Sequence, residues 1–302
     1  MHARPQGPAQ HTAIHRRSPG LPAAHRLVRR VALGAALACG LAACGGGDDD
    51  TTTPVTPVTP STTTAVQVTV VDGLLKGALV CLDANDNGSC DAGETQATSL
   101  DNGVATLQVP NADVGKDAVL AQVPVGAVDA DHGAVPTAFL LKAPADQAAV
   151  VSPLTTLVAA QRQLAGSTSA EAEQVLKGRL GLSGSLFANH VGKTDADARL
   201  AGDIARLLVM ATQQVHAATA GAKDLSGQAL SDAERALVLN QRLLDGLPAV
   251  AAAAAAPAVA AATGAAKTEA LRAAAAVVAG NTGISAGTIA AAVARARPLT
   301  AD

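Results

Sequence analysis

Short segments rich in branched and aliphatic residues recur between residue 65 and about residue 145, separated by turn sequences such as VDG, DNG and DADHG. Apolar and polar residues alternate in several of them, and a period of two is typical of a strand with one buried face. Five or more short strands at this spacing favour a small antiparallel β-sandwich. The predicted strands are AVQVTVV (65–71), GALVCL (77–82), VATLQV (104–109), AVLAQV (118–123) and TAFLLKA (137–143).

The pattern becomes helical after Val151. Ser152 followed by Pro153 is typical of a helix N-terminus, with a capping side chain and then proline in the first turn. Capping pairs predict further helix starts at Thr168 with Glu171, at Ser231 with Glu234 and, as a weaker acidic version, at Thr194 with Asp197. Three alanine-rich segments, 249–263, 265–279 and 286–297, complete an array of about six helices.

The sequence therefore predicts a two-domain α+β protein, with a small antiparallel β-sandwich over 65–148 followed by an all-α helical array over 149–302. The run AAAAAAPAVAAATGAA in the second part is only weakly apolar, and Pro257 and Gly264 interrupt it. Close helix packing through small side chains is favoured over a membrane span.

The first 43 residues carry six Arg and four His but no acidic residue, and their apolar run from Val31 to Ala43 is too short for a transmembrane helix. A basic segment, a short apolar run and small residues form the pattern of a secretory signal. Residues 1–24 do not resemble one, so Leu27 or Val28 is a candidate for the true start. Residues 44–64, rich in Gly, Asp, Thr and Pro, predict a disordered tether.

The sequence LAAC, Leu41 to Cys44, resembles the lipobox of bacterial lipoproteins. The resemblance implies cleavage before Cys44 and acylation of that cysteine, including palmitate, so that the lipid anchors the protein to a membrane. Because Gly45 rather than Asp follows, it also implies sorting to the outer membrane, facing the periplasm or the surface. The alternative is an ordinary signal peptide that happens to contain Cys44.

Composition narrows the choice of partner. Six of the 22 Lys and Arg residues lie in the leader, which leaves 16 against 25 Asp and Glu and a net charge near −9. That charge disfavours nucleic acid, which requires clustered cations. The chain has no Trp or Tyr and only Phe139 and Phe187 as aromatic residues, so a carbohydrate site is disfavoured as well.

The run CLDANDNGSCDAGE, residues 81–94, has the spacing of a twelve-residue calcium loop. Ca²⁺ takes six to eight hard oxygens, and a glycine in the middle of the loop permits the sharp turn. Asp86 lies off the ligand positions and is expected to face solvent. The alternative is an acidic surface turn without an ion. Numbered from Asp83, the predicted ligands are Asp83, Asn85, Asn87, the Ser89 carbonyl, Asp91 and Glu94, with Gly88 at position 6.

A strand enters this loop where an EF-hand needs a helix. GALVCLDANDNGSCDAGE followed by TSLDNGVATLQV resembles the B-type repeats of bacterial surface adhesins, the SdrD B-like and Cna B-like group, over residues 66–125. The resemblance implies a prealbumin-like sandwich in which this segment joins two strands and binds calcium. The chain departs from that family in its cysteine pair and in its single copy of the module.

Two cysteines, Cys81 and Cys90, are left once the leader and the lipidated cysteine are set aside. In an exported chain an even remainder of two predicts one disulfide, which here would close the calcium loop. The alternative is two independent buried thiols. A zinc pair is disfavoured because there is neither a CxxC motif nor a nearby histidine.

No catalytic motif accompanies the histidines His132, His190 and His216, each of which is expected to be solvated or locally hydrogen-bonded. The segments VSPLTTLVAAQRQLAG and EAEQVLKGRLGL resemble a helical region of uncharacterised proteobacterial lipoproteins, which implies no activity. We expect a non-enzymatic structural or interaction protein of the envelope, with an envelope protein as its candidate partner. The alternative is an envelope enzyme or accessory factor with an unrecognised site.

Overall fold

The computed structural model describes residues 62–296. The predicted signal peptide (1–43), Cys44 and the predicted tether up to residue 61 lie outside this range. The first strand begins at Thr63, two residues earlier than predicted. The strands are β1 (Thr63–Val70), β2 (Leu75–Lys76), β3 (Leu79–Asp83), β4 (Gln96–Thr98), β5 (Val104–Pro110), β6 (Ala118–Val123), β7 (Val128–Asp129), β8 (Gly133–Ala134), β9 (Phe139–Ala143) and β10 (Val150–Val151).

Two sheets form the sandwich, with strand orders β10-β1-β5 and β4-β3-β6-β9. Their strands pair antiparallel except for β1 with β10. Alternation decides which side chains enter the core: Leu107 on β5 is fully buried while its neighbours Thr106 and Gln108 are exposed. The inner faces of both sheets share one apolar core, and the predicted α+β class with an antiparallel sandwich is confirmed. A small ribbon, β2-β7-β8, lies beside the two sheets.

Three of the helices begin where capping residues predict a helix start. Ser152, Thr168 and Ser231 each form a complete capping box with the residue three positions later, which satisfies backbone donors of the first turn. The helices are α1 (Pro153–Ala165), α2 (Ser169–Leu180), α3 (Ala196–Ala218), α4 (Asp232–Asp245), α5 (Leu247–Ala254), α6 (Pro257–Ala260), α7 (Gly264–Asn281) and α8 (Ile289–Ala296).

The start of α3 differs from the prediction. Asp195, rather than Thr194, caps the helix by accepting from the Ala198 N–H at 2.8 Å. The Asp197 carboxylate instead accepts the N–H groups of Ser183 and Gly184 in the preceding loop. The acidic residue expected in the capping pair therefore holds the loop between α2 and α3.

The alanine-rich part forms three helices of 8, 4 and 18 residues before α8. Pro257 starts a new helix, α6, inside the predicted segment 249–263. Residues 62–296 contain eight helices, where the sequence predicts about six. None of the helices within that range is both long and apolar enough to cross a bilayer.

The sandwich and the helices pack against each other as parts of one compact unit. Val209 of α3 is buried in the core of the sandwich, while most of the apolar stripe of the same helix, including Ile204 and Leu208, belongs to the helical core. The helix α3 therefore serves both cores. Because α1 follows β10 after a single residue, the last strand also leads directly into the helical part.

Candidate metal-binding loop

The predicted calcium loop joins β3 to β4, two antiparallel neighbours of the larger sheet. Asp83 is the last residue of β3, and Glu94 lies two residues before β4 begins. Pairing of Cys81 with Gln96 brings the two ends of the loop side by side. The loop is thus held between paired strands, as the sequence predicts, and not between helices.

The Asp83 carboxylate is buried at the inner edge of the loop. Its Oδ1 accepts the Asn87 N–H at 3.0 Å, and its Oδ2 accepts the Gly88 N–H at 3.2 Å. Gly88 has φ +74°, a conformation that glycine adopts without the steric cost of a Cβ. The turn predicted at position 6 therefore directs two backbone donors to the carboxylate at position 1.

The other loop side chains meet around Asp91. The side-chain amides of Asn85 and Asn87 donate to Oδ2 of Asp91 at 2.9 and 2.7 Å. These two hydrogen bonds, with Asn85 the larger contributor, hold the pKa of Asp91 below its ordinary value. The N–H of Asn87 also lies 3.1 Å from Oδ1 of Asn85, so oxygens from positions 1 and 3 approach the same donor.

Glu94 and Ser89 complete the predicted set. Oε1 of Glu94 accepts the Ala84 N–H at 3.0 Å, and its Oε2 accepts the Asp91 N–H at 3.0 Å, so position 12 reaches back to the start of the loop. The Ser89 N–H donates to Oδ1 of Asn87 at 2.8 Å. All six predicted ligand residues thus belong to one closed loop linked by hydrogen bonds.

The donor chemistry of this loop fits Ca²⁺, which prefers carboxylate, amide and carbonyl oxygens. Within residues 62–296 no three His, Cys, Asp or Glu side chains are grouped as a metal cage. In the loop two of the five candidate side-chain ligands are amides, and the nitrogens of Asn85 and Asn87 point to Asp91. The loop residues therefore carry the oxygen donors that Ca²⁺ prefers. Hydrogen bonds within the loop hold these side chains in their present arrangement.

The predicted disulfide between Cys81 and Cys90 is confirmed, with a Cα–Cα distance of 5.6 Å. Cys81 is fully buried on β3, and Cys90 is position 8 of the loop. The bond ties the middle of the loop to the strand that enters it. The alternatives of two free thiols and of a zinc pair are wrong.

A lysine that the sequence analysis missed contacts the loop from β9. Nζ of Lys142 lies 3.2 Å from Oδ2 of Asp83 and 2.6 Å from Oδ1 of Asp86. The Asp86 side chain is 71% exposed, as expected for a residue off the ligand positions, but it is paired with this ammonium. Only the pairing of β9 with β6, and of β6 with β3, brings Lys142 to Asp83 and Asp86, which lie 59 and 56 positions earlier.

The loop also packs against the helical part. A cavity of about 270 Å³ lies between residues 86–88, β9, α1 and α4. A Cβ added to Gly88 would stand 2.8 Å from Cβ of Ala233 on α4, which is closer than such atoms approach. The loop therefore has a helix directly behind its turn.

A second ionisable cluster, also missed by the sequence analysis, lies where α3 meets the sandwich. Nη1 of Arg206 is 2.6 Å from Oδ2 of Asp72 and 3.5 Å from Oδ2 of Asp129, and His132 Nδ1 is 3.2 Å from Oδ1 of Asp129. Burial raises the pKa of Asp72 to about 6, although the positive charge of Arg206 acts to lower it. Burial acts in the same direction on Asp129, but the hydrogen bond with His132 and further contacts hold its pKa below the ordinary value.

The histidines differ in their surroundings. His132 pairs with Asp129, and Nδ1 of His216 lies 3.2 Å from the Ala138 carbonyl oxygen, which agrees with local hydrogen bonding. His190 is buried, and although its ring nitrogens meet no partner at strict hydrogen-bond geometry, the backbone of Asp72 lies close enough to act on its pKa as a hydrogen-bond partner. Burial lowers the pKa of both His190 and His216. The contacts of His132 and His216 hold neighbouring elements of the fold together.

No protein-family model, curated protein or solved structure matches the chain. The resemblance to adhesin repeats and to lipoproteins thus stays a prediction from the motifs quoted above.

Proposed function

We propose that the chain is a lipid-anchored structural or interaction protein of the cell envelope, with a β-sandwich stabilised by Ca²⁺ at loop 83–94. The observation that carries the calcium part is the closed loop between β3 and β4, in which all six candidate ligand residues lie. On this proposal the sandwich braces the helical array, which meets an envelope partner, and the protein has no catalytic activity.

On this proposal, contacts within the loop prepare its residues to hold the ion. Backbone donors orient the buried Asp83 carboxylate, and Glu94 links the end of the loop to its start. The disulfide fixes the middle of the loop at Cys90 and so limits the conformations that the free loop can adopt. When bound, Ca²⁺ supplies positive charge among the carboxylates of Asp83, Asp91 and Glu94.

Calorimetry of the mature chain, made soluble by Cys44→Ser, tests the calcium proposal. A ligand that binds only the folded state stabilises it by about 2.7 kcal/mol at a free concentration of ~100 Kd. Millimolar Ca²⁺ should therefore raise the melting temperature relative to chelator, and Glu94→Ala should abolish the rise. The control Asp101→Ala removes an exposed carboxylate outside the loop and should keep it. An unchanged melting temperature in wild type would overturn the proposal.

Lipid anchoring is proposed from the sequence LAAC, and it is tested in cells with a clickable palmitate analogue. Wild type should incorporate the label and fractionate with the outer membrane. Cys44→Ala should lose both, while Cys39→Ala, which changes another cysteine of the leader, should keep both. Labelling that survives in Cys44→Ala would contradict the anchor.

A further inference from the structure

Lys142 places a positive charge on the carboxylate at position 1 of the loop. Its Nζ is 3.2 Å from Oδ2 of Asp83, whose side chain has no solvent exposure, and the Lys142 side chain itself is 25% exposed. Water therefore screens this ion pair less than an exposed one. The charge acts at the one candidate ligand that is buried.

The start of α1 fixes the backbone of Lys142 through two hydrogen bonds. Its N–H donates to Oγ1 of Thr156 at 2.9 Å, and its carbonyl oxygen accepts from Oγ1 of Thr155 at 2.9 Å. It is also paired with Leu120 in the sheet. The main chain of Lys142 cannot withdraw from the loop without breaking these contacts, so only its side chain is free to move.

We propose that Lys142 is a tethered cation that competes with Ca²⁺ for Asp83 and thereby sets the calcium affinity of the loop; the inference rests on the calcium site proposed above. A Ca²⁺ ion lies ~2.4 Å from a carboxylate oxygen that it binds. An ammonium on the same carboxylate would then be within roughly 6 Å of the ion, where like charges at a buried site repel strongly. Calcium binding must displace the ammonium from Asp83.

Asp86 gives the displaced ammonium a second partner. Its Oδ1 is 2.6 Å from Nζ of Lys142, and it is not among the candidate ligands. Because the Asp86 side chain is 71% exposed, this remaining ion pair is weak and leaves the amine open to solvent. Calcium should therefore turn Lys142 from a doubly held side chain into a loosely held one.

Isothermal calorimetry with CaCl₂ on the full mature chain measures the competition. Lys142→Met keeps most of the side-chain volume and removes the charge. Calcium should therefore bind this variant about tenfold more tightly than wild type, which corresponds to ~1.4 kcal/mol of binding free energy. Lys142→Arg keeps the charge and should stay near the wild-type affinity. Lys76→Met, which breaks the exposed pair with Asp101, changes the net charge equally and should shift affinity less than twofold.

The reactivity of the amine gives a readout that is independent of affinity. Limited acetylation followed by mass spectrometry should show Lys142 at least about threefold more reactive in saturating Ca²⁺ than in chelator, since an exposed ion pair holds the amine weakly, with Lys76 unchanged as the internal reference. Equal affinities of wild type and Lys142→Met, or a Lys142 reactivity that calcium leaves unchanged, would overturn the competition while leaving the calcium site intact. Absence of calcium binding in both wild type and Lys142→Met would overturn the calcium site itself.

Discussion

Nη1 of Arg206 on α3 lies 2.6 Å from Oδ2 of Asp72 in the turn after β1, a contact between residues 134 positions apart. The Asp72 side chain is 1% exposed and the Arg206 side chain 14%. The same guanidinium lies 3.5 Å from Oδ2 of Asp129, so one helix residue contacts both the turn after β1 and the end of β7. This buried ion pair joins the helical part to the sandwich.

Removal of Arg206 should destabilise the whole unit. Arg206→Ala leaves the buried Asp72 and Asp129 carboxylates without their cation, and breaking one side of a buried pair costs about 3 kcal/mol. Urea denaturation at pH 7.5 measures the loss. The control Arg272→Ala breaks an exposed pair with Glu269 and should change the free energy of unfolding by less than about 0.5 kcal/mol. Similar losses of unfolding free energy in the two variants would show that the ion pair does not hold the helical part to the sandwich.

The raised pKa of Asp72 predicts a pH dependence of stability. Burial raises this pKa from 3.8 to about 6, so between these values the folded chain holds a proton that the unfolded chain has released. The contribution of Asp72 is therefore complete below pH 3.8 and is lost as the pH rises through about 6. The loss is on the order of 3 kcal/mol.

Asp72→Asn removes this titration. In urea midpoints measured from pH 4 to pH 8, the free energy of unfolding of the variant should rise more, or fall less, between pH 4 and pH 6 than that of wild type. His190 and His216, whose pKa values burial lowers, contribute stability that is lost as the pH falls below 6.5 in both proteins. Parallel curves for wild type and variant would contradict the assignment to Asp72.

Gly88 should be sensitive for two separable reasons. Alanine at this position meets both an unfavourable φ of +74° and Cβ of Ala233 at 2.8 Å, and we expect a loss of about 2–4 kcal/mol from strain and overpacking together. Gly115→Ala has nearly the same φ, +75°, with nothing within 4 Å, so it should lose only the conformational part, about 1–2 kcal/mol. Thermal denaturation compares the two.

Relief of the contact provides the check on this reasoning. Gly88→Ala combined with Ala233→Gly removes the close Cβ and should recover the difference between the two single variants, apart from the ~1 kcal/mol that glycine costs in a helix. Equal losses of stability in Gly88→Ala and Gly115→Ala would show that the contact with Ala233 of α4 does not contribute to the cost.

The disulfide should favour calcium binding by limiting the free loop. Replacement of Cys81 and Cys90 by alanine should weaken calcium affinity more than it lowers the stability of the calcium-saturated protein, because the bound ion supplies the same constraint. By linkage, calcium should make the disulfide harder to reduce by an equal free energy. Calorimetric Kd values for the two proteins and the reduction potential with and without calcium test both statements. Equal Kd values would show that the disulfide only links Cys90 to the end of β3 and does not favour calcium binding.

Features that depend on neighbours in sequence were predictable. The alternation in 104–109 predicts β5 because a period of two places one set of side chains in the core. Ser152, Thr168 and Ser231 predict helix starts because a cap bonds to a donor three residues away. The spacing of residues 83–94 and of the two cysteines likewise predicts the turn at Gly88 and the disulfide, since both are closed within a few residues.

Features that depend on the approach of distant segments carry no local signal. The sequence around Lys142 reads as an ordinary strand, and only the pairing of β9, β6 and β3 brings its ammonium to Asp83. The role of Arg206 depends in the same way on where α3 meets the sandwich. At the start of α3, a tertiary contact overrides the local pattern. The Asp197 carboxylate, which the predicted capping pair would need, accepts hydrogen bonds from the N–H groups of Ser183 and Gly184 instead. Hydrogen bonds and ion pairs of this kind form only after the chain has folded, when buried charges must find partners from whatever segment lies nearest.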